Sequence, residues 1–217
     1  MELSESKRIT SLSVFEDSLY LQGYDFIAGI DEAGRGALAG PIVAAAVILP
    51  RENYFIEKIN DSKKLKEKSR NELYEKIINC CTAYGIGKIS SQKIDIIRLG
   101  IANKEVFRKA VGNLQKKPEI IITDALAFDS EIPVLPVVNG DELCVSVCAA
   151  SIIAKVSRDK IMKKFDSIYP GYDFVNNKGY GTPEHINAIN KLGFCPIHRK
   201  SFKINNCRQI SFSSEKE

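Results

Sequence analysis

Residues 26–49, FIAGIDEAGRGALAGPIVAAAVIL, place two adjacent carboxylates between two apolar runs. The first run predicts a buried strand that ends at Asp31 and Glu32, and the second run predicts another strand after Gly40. Charges at the end of a buried strand are costly unless something such as a divalent cation compensates them. The glycines around Arg35 let the backbone approach a ligand closely, and an arginine can pair with phosphate. The stretch therefore predicts a metal site beside a phosphate site.

The composition is that of an ordinary globular chain, with 217 residues of which 44% are apolar and 27% charged. This length fits one domain, alone or with an appendage. No apolar run reaches the ~20 residues of a membrane span, and the start of the chain lacks the apolar segment of a secretory signal. We therefore expect a cytoplasmic protein with no membrane association. Its six cysteines form no C-x-x-C pair and are expected to be reduced rather than bound to zinc.

The net charge of +4 is distributed unevenly along the chain. Residues 151–217 hold twelve Lys and Arg against six Asp and Glu, and the small acidic excess lies in the preceding part. A basic segment of this kind can hold a polyanion such as a nucleic acid. Solvated, lysine-rich helices give the same pattern, so charge alone leaves both interpretations open.

The predicted elements indicate an α/β fold with a mixed sheet and helices packed on it. Helices are predicted within 1–22, over 66–80 with a cap at Asp61 or Ser62, over 91–114 with a break near Gly100, over 143–169, and from Thr182 to Gly193. Strands are predicted as a pair within 24–49, and over 83–90, 118–124 and 132–138. The last strand contains Pro133 and Pro136, which favours a position at the sheet edge. Residues 173–181 are predicted to form a loop.

Two further acidic residues follow predicted strands. Asp124 ends the strand over 118–124, and Asp141 lies between the next strand and a helix. Because a sheet brings neighbouring strand ends together, these residues are expected to join Asp31 and Glu32. Hard oxygen ligands select Mg²⁺ or Mn²⁺, and two such ions are a common arrangement for phosphodiester hydrolysis. Taken singly, Asp124 could instead cap its strand and Asp141 could cap the following helix.

Seven motifs, in the same order along the chain, resemble those of bacterial type 2 ribonuclease H, the ribonuclease HII family. They are GIDEAGRGALAGPIVAAAVIL at 29–49, DSKKL at 61–65, IITDA at 121–125, AASIIAKVSRD at 149–159, YPGY at 169–172, KGYGTPEH at 178–185 and HRKSF at 198–202. They cover most of residues 15–203. The related type 3 enzymes carry an N-terminal domain for which there is no room before Asp31, and this favours type 2.

The resemblance implies a ribonuclease H-like mixed β-sheet flanked by helices, with a C-terminal helical extension. Residues 1–170 would be the catalytic core with an N-terminal helix, and residues 171–217 a helical substrate-binding region and polar tail, in one compact unit. The implied activity is endonucleolytic hydrolysis of the RNA strand of RNA–DNA hybrids and incision 5′ to single ribonucleotides in duplex DNA, leaving 5′-phosphate and 3′-hydroxyl ends. The expected partners are these nucleic acids and no membrane, and the protein is expected to be a monomer.

The resemblance also assigns roles to residues at matching positions. The catalytic residues and ligands of two Mn²⁺ or Mg²⁺ ions would be Asp31, Glu32, Asp124 and Asp141. A loop of Gly34, Arg35 and Gly36 would sense the ribose 2′-hydroxyl, which distinguishes RNA from DNA. Tyr180 would stack at the RNA–DNA junction, although a buried core tyrosine is the alternative interpretation.

Further substrate contacts are predicted for Lys63, Ser151 and Lys155. Ser151, Lys155 and Arg158 follow a spacing of i, i+4 and i+7, so they would share a helix face and could contact phosphate. A solvated helix surface is the other interpretation of Arg158. The two histidines, His185 and His198, are too far apart in sequence to suggest a zinc site, and His185 is expected to pack or to form hydrogen bonds.

Two other functional classes remain as alternatives. One is a different metal-dependent nuclease with a similar core, such as a resolvase-type enzyme that acts on DNA. The Gly34–Gly36 loop and Tyr180 argue against it, since DNA has no 2′-hydroxyl to sense. The other is a non-catalytic module that binds hybrids, which would not need four carboxylates that repel nucleic acid in the absence of metal.

Overall fold

The computed structural model describes residues 11–51, 59–60 and 62–203, and in it a mixed sheet carries helices on both faces. The strands are β1 (Ile27–Ala33), β2 (Ile42–Ile48), β3 (Ala83–Ile89), β4 (Ile120–Asp124) and β5 (Val134–Val137). The helices are α1 (Val14–Leu21), α2 (Glu67–Cys80), α3 (Ser91–Gly112), α4 (Gly140–Leu143), α5 (Val145–Ile168), α6 (Phe174–Asn177) and α7 (Pro183–Leu192). The predicted α/β class with a mixed sheet is confirmed.

The strand order β3-β2-β1-β4-β5 determines where the acidic strand ends lie. β1 is antiparallel to β2 and parallel to β4, and β4 is parallel to β5. The carboxyl ends of these three parallel strands therefore meet at one edge of the sheet. β5 is an edge strand, as Pro133 and Pro136 predict. Proline has no backbone N–H group to donate to a neighbouring strand, so it is tolerated where a strand has a neighbour on one side only.

Helix α5 packs closely against β1 because both surfaces lack large side chains. Ala149, Ala150 and Ala154 are fully buried on the helix. On the strand, a Cβ atom at Gly29 would lie only 2.1 Å from the backbone carbon of Ser146. Any side chain at Gly29 would push the helix away from the strand that carries Asp31.

Helix α3 covers the opposite face of the sheet. Val106, Phe107 and Ala110 are buried there with apolar residues of β1 and β2. The helix is broken near Gly100, as predicted, because the backbone leaves helical geometry at Arg98 (φ 69°, ψ 156°). No helix within the described ranges is long and apolar enough to cross a membrane.

The prediction that Ser62 caps α2 is wrong, and Asp61 lies outside the described residues. The helix begins at Glu67 after an extended Lys66, with no side-chain cap. Residues 62–65 form a turn before the helix, and Arg70 holds this turn by donating to the carbonyls of Ser62 (2.6 Å) and Leu65 (3.2 Å). These bonds from the Arg70 side chain fix the turn that precedes the helix, but they supply no acceptor for its first amides.

Two short helices correct the predicted loops. Residues 173–181 are not all loop, because Asn177 donates to the Tyr172 carbonyl (2.7 Å) and helps to close the single turn α6. Asp141 lies inside the single turn α4 rather than at the start of the long helix α5. The polar tail from residue 204 onward lies outside the described residues.

Candidate active site

Asp31 and Glu32 lie near the end of β1 and point to opposite faces of the sheet, as successive strand residues do. Asp31 is 7% exposed, and its Oδ1 accepts a hydrogen bond from the Glu32 amide at 2.7 Å. Glu32 faces α3, where Asn103 Nδ2 donates to its Oε1 at 3.3 Å. The fold therefore fixes the two carboxylates through different neighbours.

Strand β4 places Asp124 at this sheet edge, and one hydrogen bond holds the segment of Asp141 next to it. The Gly140 amide donates to Asp124 Oδ1 at 2.9 Å and so attaches the start of α4 to the end of β4. Asp141 follows directly and is buried. We call the set of Asp31, Glu32, Asp124 and Asp141 the carboxylate edge.

The electrostatics of the carboxylate edge are unfavourable without a cation. Burial raises the pKa of Asp31 well above its ordinary value, and the neighbouring charges of Glu32, Asp124 and Asp141 raise it further. Burial also raises the pKa of Glu32, although the Asn103 hydrogen bond and the Arg35 charge oppose that shift. Clustered carboxylates, two of them costly to ionise, are a donor set that suits hard divalent cations. The residues therefore fit Mg²⁺ or Mn²⁺.

Two basic side chains of the protein form ion pairs with carboxylates of this edge. Lys63 Nζ lies 3.1 Å from Asp141 Oδ2, and Arg35 Nη1 lies 3.8 Å from Glu32 Oε1. Among the described residues, no three Asp, Glu, His or Cys side chains already form a cage for an ion. The Asp141 side chain is only 8% exposed, but the Lys63 side chain is 75% exposed, so water screens the lysine and it can leave the pair for solvent.

Asn103 is a site residue that the sequence reasoning missed. It is 2% exposed on α3, and within the described part of the chain its Oδ1 atom has no hydrogen-bond partner. A buried polar atom without a partner is costly and calls for an explanation, and here the same side chain donates to Glu32. The available signal was an asparagine in the apolar, sheet-facing row of the helix, between Ala102 and Val106.

The two glycines of the predicted loop differ in whether a side chain could replace their hydrogen atom. Gly34 has a φ of +88°, and a Cβ atom there would lie 1.9 Å from Arg158 Nε. Gly36 lies in open space, with no atom within 4 Å of an added Cβ. Gly34 is thus needed for the fold of the loop, whereas the space beside Gly36 is accessible from outside.

Arg158 was predicted either to contact phosphate or to lie on a solvated helix surface. The structure supports neither, because the side chain is buried and bonded to backbone carbonyls. Its guanidinium is fully buried and donates to the carbonyls of Pro41 (2.9 Å), Ala39 (3.0 Å) and Lys178 (2.7 Å). The loops around these carbonyls cover this part of α5. Arg158 therefore joins the β1–β2 loop to the segment that leads to Tyr180.

Arg199, in the HRKSF motif, is a second buried arginine, and no periodic pattern in the sequence singles it out. It is 1% exposed and donates to the carbonyls of Gly34 (2.7 Å), Arg35 (2.8 Å) and Gly40 (3.0 Å). Its cost of burial is evident, because desolvation lowers the pKa of its guanidinium to about 9. Three carbonyl acceptors compensate part of that cost and fix both ends of the loop.

Tyr180 lies in an exposed loop and not in the core, with 36% of its surface accessible. Its ring centroid is 5.3 Å from Arg158 Cζ and 5.9 Å from Lys155 Nζ. The carbonyl of the preceding Gly179 accepts from the Leu38 amide at 2.8 Å, which attaches this segment to the β1–β2 loop. We call Gly34, Arg35, Gly36 and Tyr180 the loop–tyrosine surface.

The other predicted substrate contacts have partners within the protein. Ser151 is 2% exposed and its hydroxyl donates to the Cys148 carbonyl at 2.9 Å, so a phosphate contact would require that bond to be exchanged. Lys155 Nζ lies 2.7 Å from Asp159 Oδ1, and burial lowers its pKa. Lys155 is nevertheless beside the Tyr180 ring, whereas Lys63 lies at the carboxylate edge.

Comparisons with known proteins identify relatives over most of the chain. The family model described as Ribonuclease HII matches residues 28–206. Ribonuclease HII of Caldanaerobacter subterraneus subsp. tengcongensis is 49% identical over 199 residues, which is 91% of this chain and 82% of the relative. Ribonuclease HII of Acetivibrio thermocellus is 50% identical over 202 residues, 93% of this chain and 78% of the relative.

A solved structure agrees with the sequence comparison. The crystal structure of ribonuclease H2 from Pyrococcus horikoshii OT3 superposes with a TM-score of 0.70 at 27% identity, covering 82% of this chain and 94% of that one. The resemblance stated from the motifs is thereby confirmed. The chain belongs to the ribonuclease HII family and is a nuclease of the divalent-metal-dependent ribonuclease H type.

Proposed function

We propose that this protein hydrolyses the RNA strand of RNA–DNA hybrids and incises duplex DNA 5′ to single ribonucleotides, leaving 5′-phosphate and 3′-hydroxyl ends. The supporting observation is that Arg158 touches both parts of the loop–tyrosine surface. Its side chain would contact a Cβ atom at Gly34, and its guanidinium lies 5.3 Å from the Tyr180 ring. A sensor for the ribose and a stacking residue for the next nucleotide would thus be held together.

The carboxylate edge is the proposed site of the chemistry. Asp31, Glu32, Asp124 and Asp141 would hold two Mg²⁺ or Mn²⁺ ions. Such ions, when bound, supply an activated water for in-line attack and stabilise charge on the leaving oxygen. The protein itself orients the ligands, since Asn103 donates to Glu32 and the Gly140 amide donates to Asp124. Ligands held in this way need little rearrangement when substrate arrives.

The loop is the proposed sensor of the 2′-hydroxyl. Arg199 already occupies the carbonyls of Gly34 and Arg35. We therefore assign the substrate contact chiefly to the backbone at Gly36, where space is open. The exposed ring of Tyr180 would stack on the sugar or base that follows the ribonucleotide.

The C-terminal part is proposed to act with the core as one unit. Gly179 and Arg199 bond to the β1–β2 loop, and the Lys178 carbonyl accepts from Arg158 on α5, which supports a single unit across the expected boundary at residue 170. We propose that residues 171–217 contribute to substrate binding in this way. We further propose that the protein works in the cytoplasm as a monomer.

One assay tests the activity against both alternatives. The protein is incubated with duplex DNA that contains one ribonucleotide and with a matched all-DNA duplex, each with and without Mg²⁺ or Mn²⁺. We expect cutting that requires the metal and occurs only 5′ to the ribonucleotide, so that the all-DNA duplex stays intact. Equal cutting of both duplexes would favour a DNA nuclease, and binding without cutting would favour a non-catalytic module.

A further inference from the structure

Two buried histidines lie in contact behind Tyr180. His185, in the first turn of α7, is fully buried, and His198 is 2% exposed. Their Nε2 atoms are 3.1 Å apart. On its other side, His185 Nδ1 is 2.9 Å from the main-chain carbonyl oxygen of Tyr180. The sequence separation of thirteen residues gave no indication of this pair.

The neighbours of the pair determine its protonation. A carbonyl can only accept, so His185 carries its proton on Nδ1 and donates to Tyr180. The Cys195 amide donates to His198 Nδ1 at 2.9 Å and lies closer than the Cys195 carbonyl at 3.3 Å, so we assign no proton to that nitrogen. His198 must therefore be protonated on Nε2 and donate to His185 Nε2. Both rings are neutral, and every ring nitrogen has a partner.

The surroundings favour the neutral state of both rings. Tyr172, Phe174 and Phe194 pack around the histidines, and the Cys195 thiol lies 3.1 Å from His198 Nδ1. Burial lowers the pKa of His185, and burial together with the neighbouring His185 lowers the pKa of His198 to about 4. The directed chain of bonds from Cys195 to Tyr180 is therefore complete at neutral pH.

The same pair is attached to the β1–β2 loop. The backbone of His198 forms a bridge with Ala39, whose amide donates to the Gly179 carbonyl at 3.1 Å. One end of the pair is thus anchored to the loop, and the other end holds the carbonyl of Tyr180. The arrangement fixes the distance between the two halves of the loop–tyrosine surface.

We propose that His185 and His198 are positioning residues that set Tyr180 at the correct distance from the Gly34–Gly36 loop for incision at a ribonucleotide. This inference rests on the proposed function, because it requires Tyr180 to contact the substrate. The histidines themselves touch neither substrate nor reacting atoms. They act through the main chain of Tyr180.

A double-mutant cycle tests this role. His185→Leu removes the donor to Tyr180, whereas His185→Asn keeps an N–H group near the position of Nδ1. We expect His185→Leu to lower kcat/KM for a duplex with one ribonucleotide about 5- to 20-fold, with the His185→Asn variant recovering most of it. In a Tyr180→Ala background, His185→Leu should have no further effect, because there is no ring left to position.

A second variant keeps the test valid if His185→Leu does not fold. His198→Asn retains an acceptor for the Cys195 amide but is too short to reach His185. We expect it to fold, with circular dichroism like that of the wild type, and to lose incision as His185→Leu does. Mn²⁺-induced thermal stabilisation should be unchanged in both variants, since neither touches the carboxylate edge.

The outcomes separate the inference from the proposed function. If Tyr180→Ala lowers incision but the histidine variants do not, or if their losses simply add to it, the positioning role is wrong and the function of Tyr180 stands. If Tyr180→Ala has no effect on incision, the role proposed for Tyr180 is wrong and the positioning role falls with it. Non-additive losses, with rescue by His185→Asn, support both the positioning role of the histidines and the function of Tyr180.

Discussion

The carboxylate edge and the loop–tyrosine surface lie side by side but are stabilised in opposite ways. The first collects like charges on rigid strand ends, and those charges raise the pKa of Asp31. The second is held by two buried arginines and the neutral His185, whose side chains donate to backbone carbonyls. In the proposed function, added cations would complete the carboxylate edge, whereas the protein itself already orders the loop–tyrosine surface. Changes in the two regions should affect different measurements.

The largest effect is expected from Asp31→Asn. Loss of one ligand should reduce turnover more than about 1,000-fold, because several kcal/mol of transition-state stabilisation come from the metal site. Metal-free Asp31→Asn should nevertheless be more stable than the wild type at pH 7–8. A raised pKa means that the stability from Asp31 is present at low pH and lost as the pH rises, and the amide removes that loss.

Thermal unfolding with and without Mn²⁺ checks this prediction alongside the activity assay. The exposed Asp129→Asn, which removes a surface partner of Arg108, is the matched control and should change neither quantity. Wild-type activity in Asp31→Asn would move the metal site away from the carboxylate edge.

The next largest effect distinguishes the two glycines of the loop. Gly34→Ala combines a positive φ with a clash against Arg158, so we expect a lower melting temperature by several degrees and little incision. Gly36→Ala should melt like the wild type and lose mainly the preference for ribonucleotides. Equal stability losses in both variants would contradict the open space assigned to Gly36.

These predictions show which parts of the account the sequence could supply. The carboxylate edge was predictable because apolar runs ending in acid mark strand ends, and parallel strands bring those ends together. Arg158 and Arg199 were not, since their partners are backbone carbonyls up to 165 residues away and composition counts buried arginines as surface charge. The histidine pair was missed for the same reason. Tertiary contacts between polar side chains and distant backbone leave no periodic pattern in sequence.

A smaller effect on the carboxylate edge is expected from Asn103→Ala. The variant releases Glu32 from its hydrogen bond, so the Mn²⁺ concentration for half-maximal activity should rise about 10-fold, in the range typical of residues that orient a metal ligand. Asn113→Ala, in the residue that follows α3, removes a donor to the Ile86 carbonyl and provides the control. An unchanged metal requirement in Asn103→Ala would show that Glu32 needs no such support.

The smallest effect is expected from Lys63→Ala, which frees Asp141 from its ion pair. The metal concentration for half-maximal activity should fall about 2- to 5-fold, because the mostly exposed lysine is screened by water and competes only weakly with the metal for the buried Asp141. Lys64→Ala removes the neighbouring pair with Glu142, outside the carboxylate edge, and should leave the metal requirement unchanged. A higher metal requirement in Lys63→Ala would contradict competition between lysine and metal.

The separation of chemistry from ribonucleotide sensing is tested most directly by Tyr180→Ala, with Tyr180→Phe as the variant that keeps the ring. Two quantities are measured on each protein: incision of a duplex with one ribonucleotide, and the rise in melting temperature caused by Mn²⁺. We predict that Tyr180→Ala loses incision about 5- to 100-fold, as expected for one lost stacking contact, while the Mn²⁺ effect stays at its wild-type value. Undiminished incision, or a parallel loss of the Mn²⁺ effect, would contradict the account.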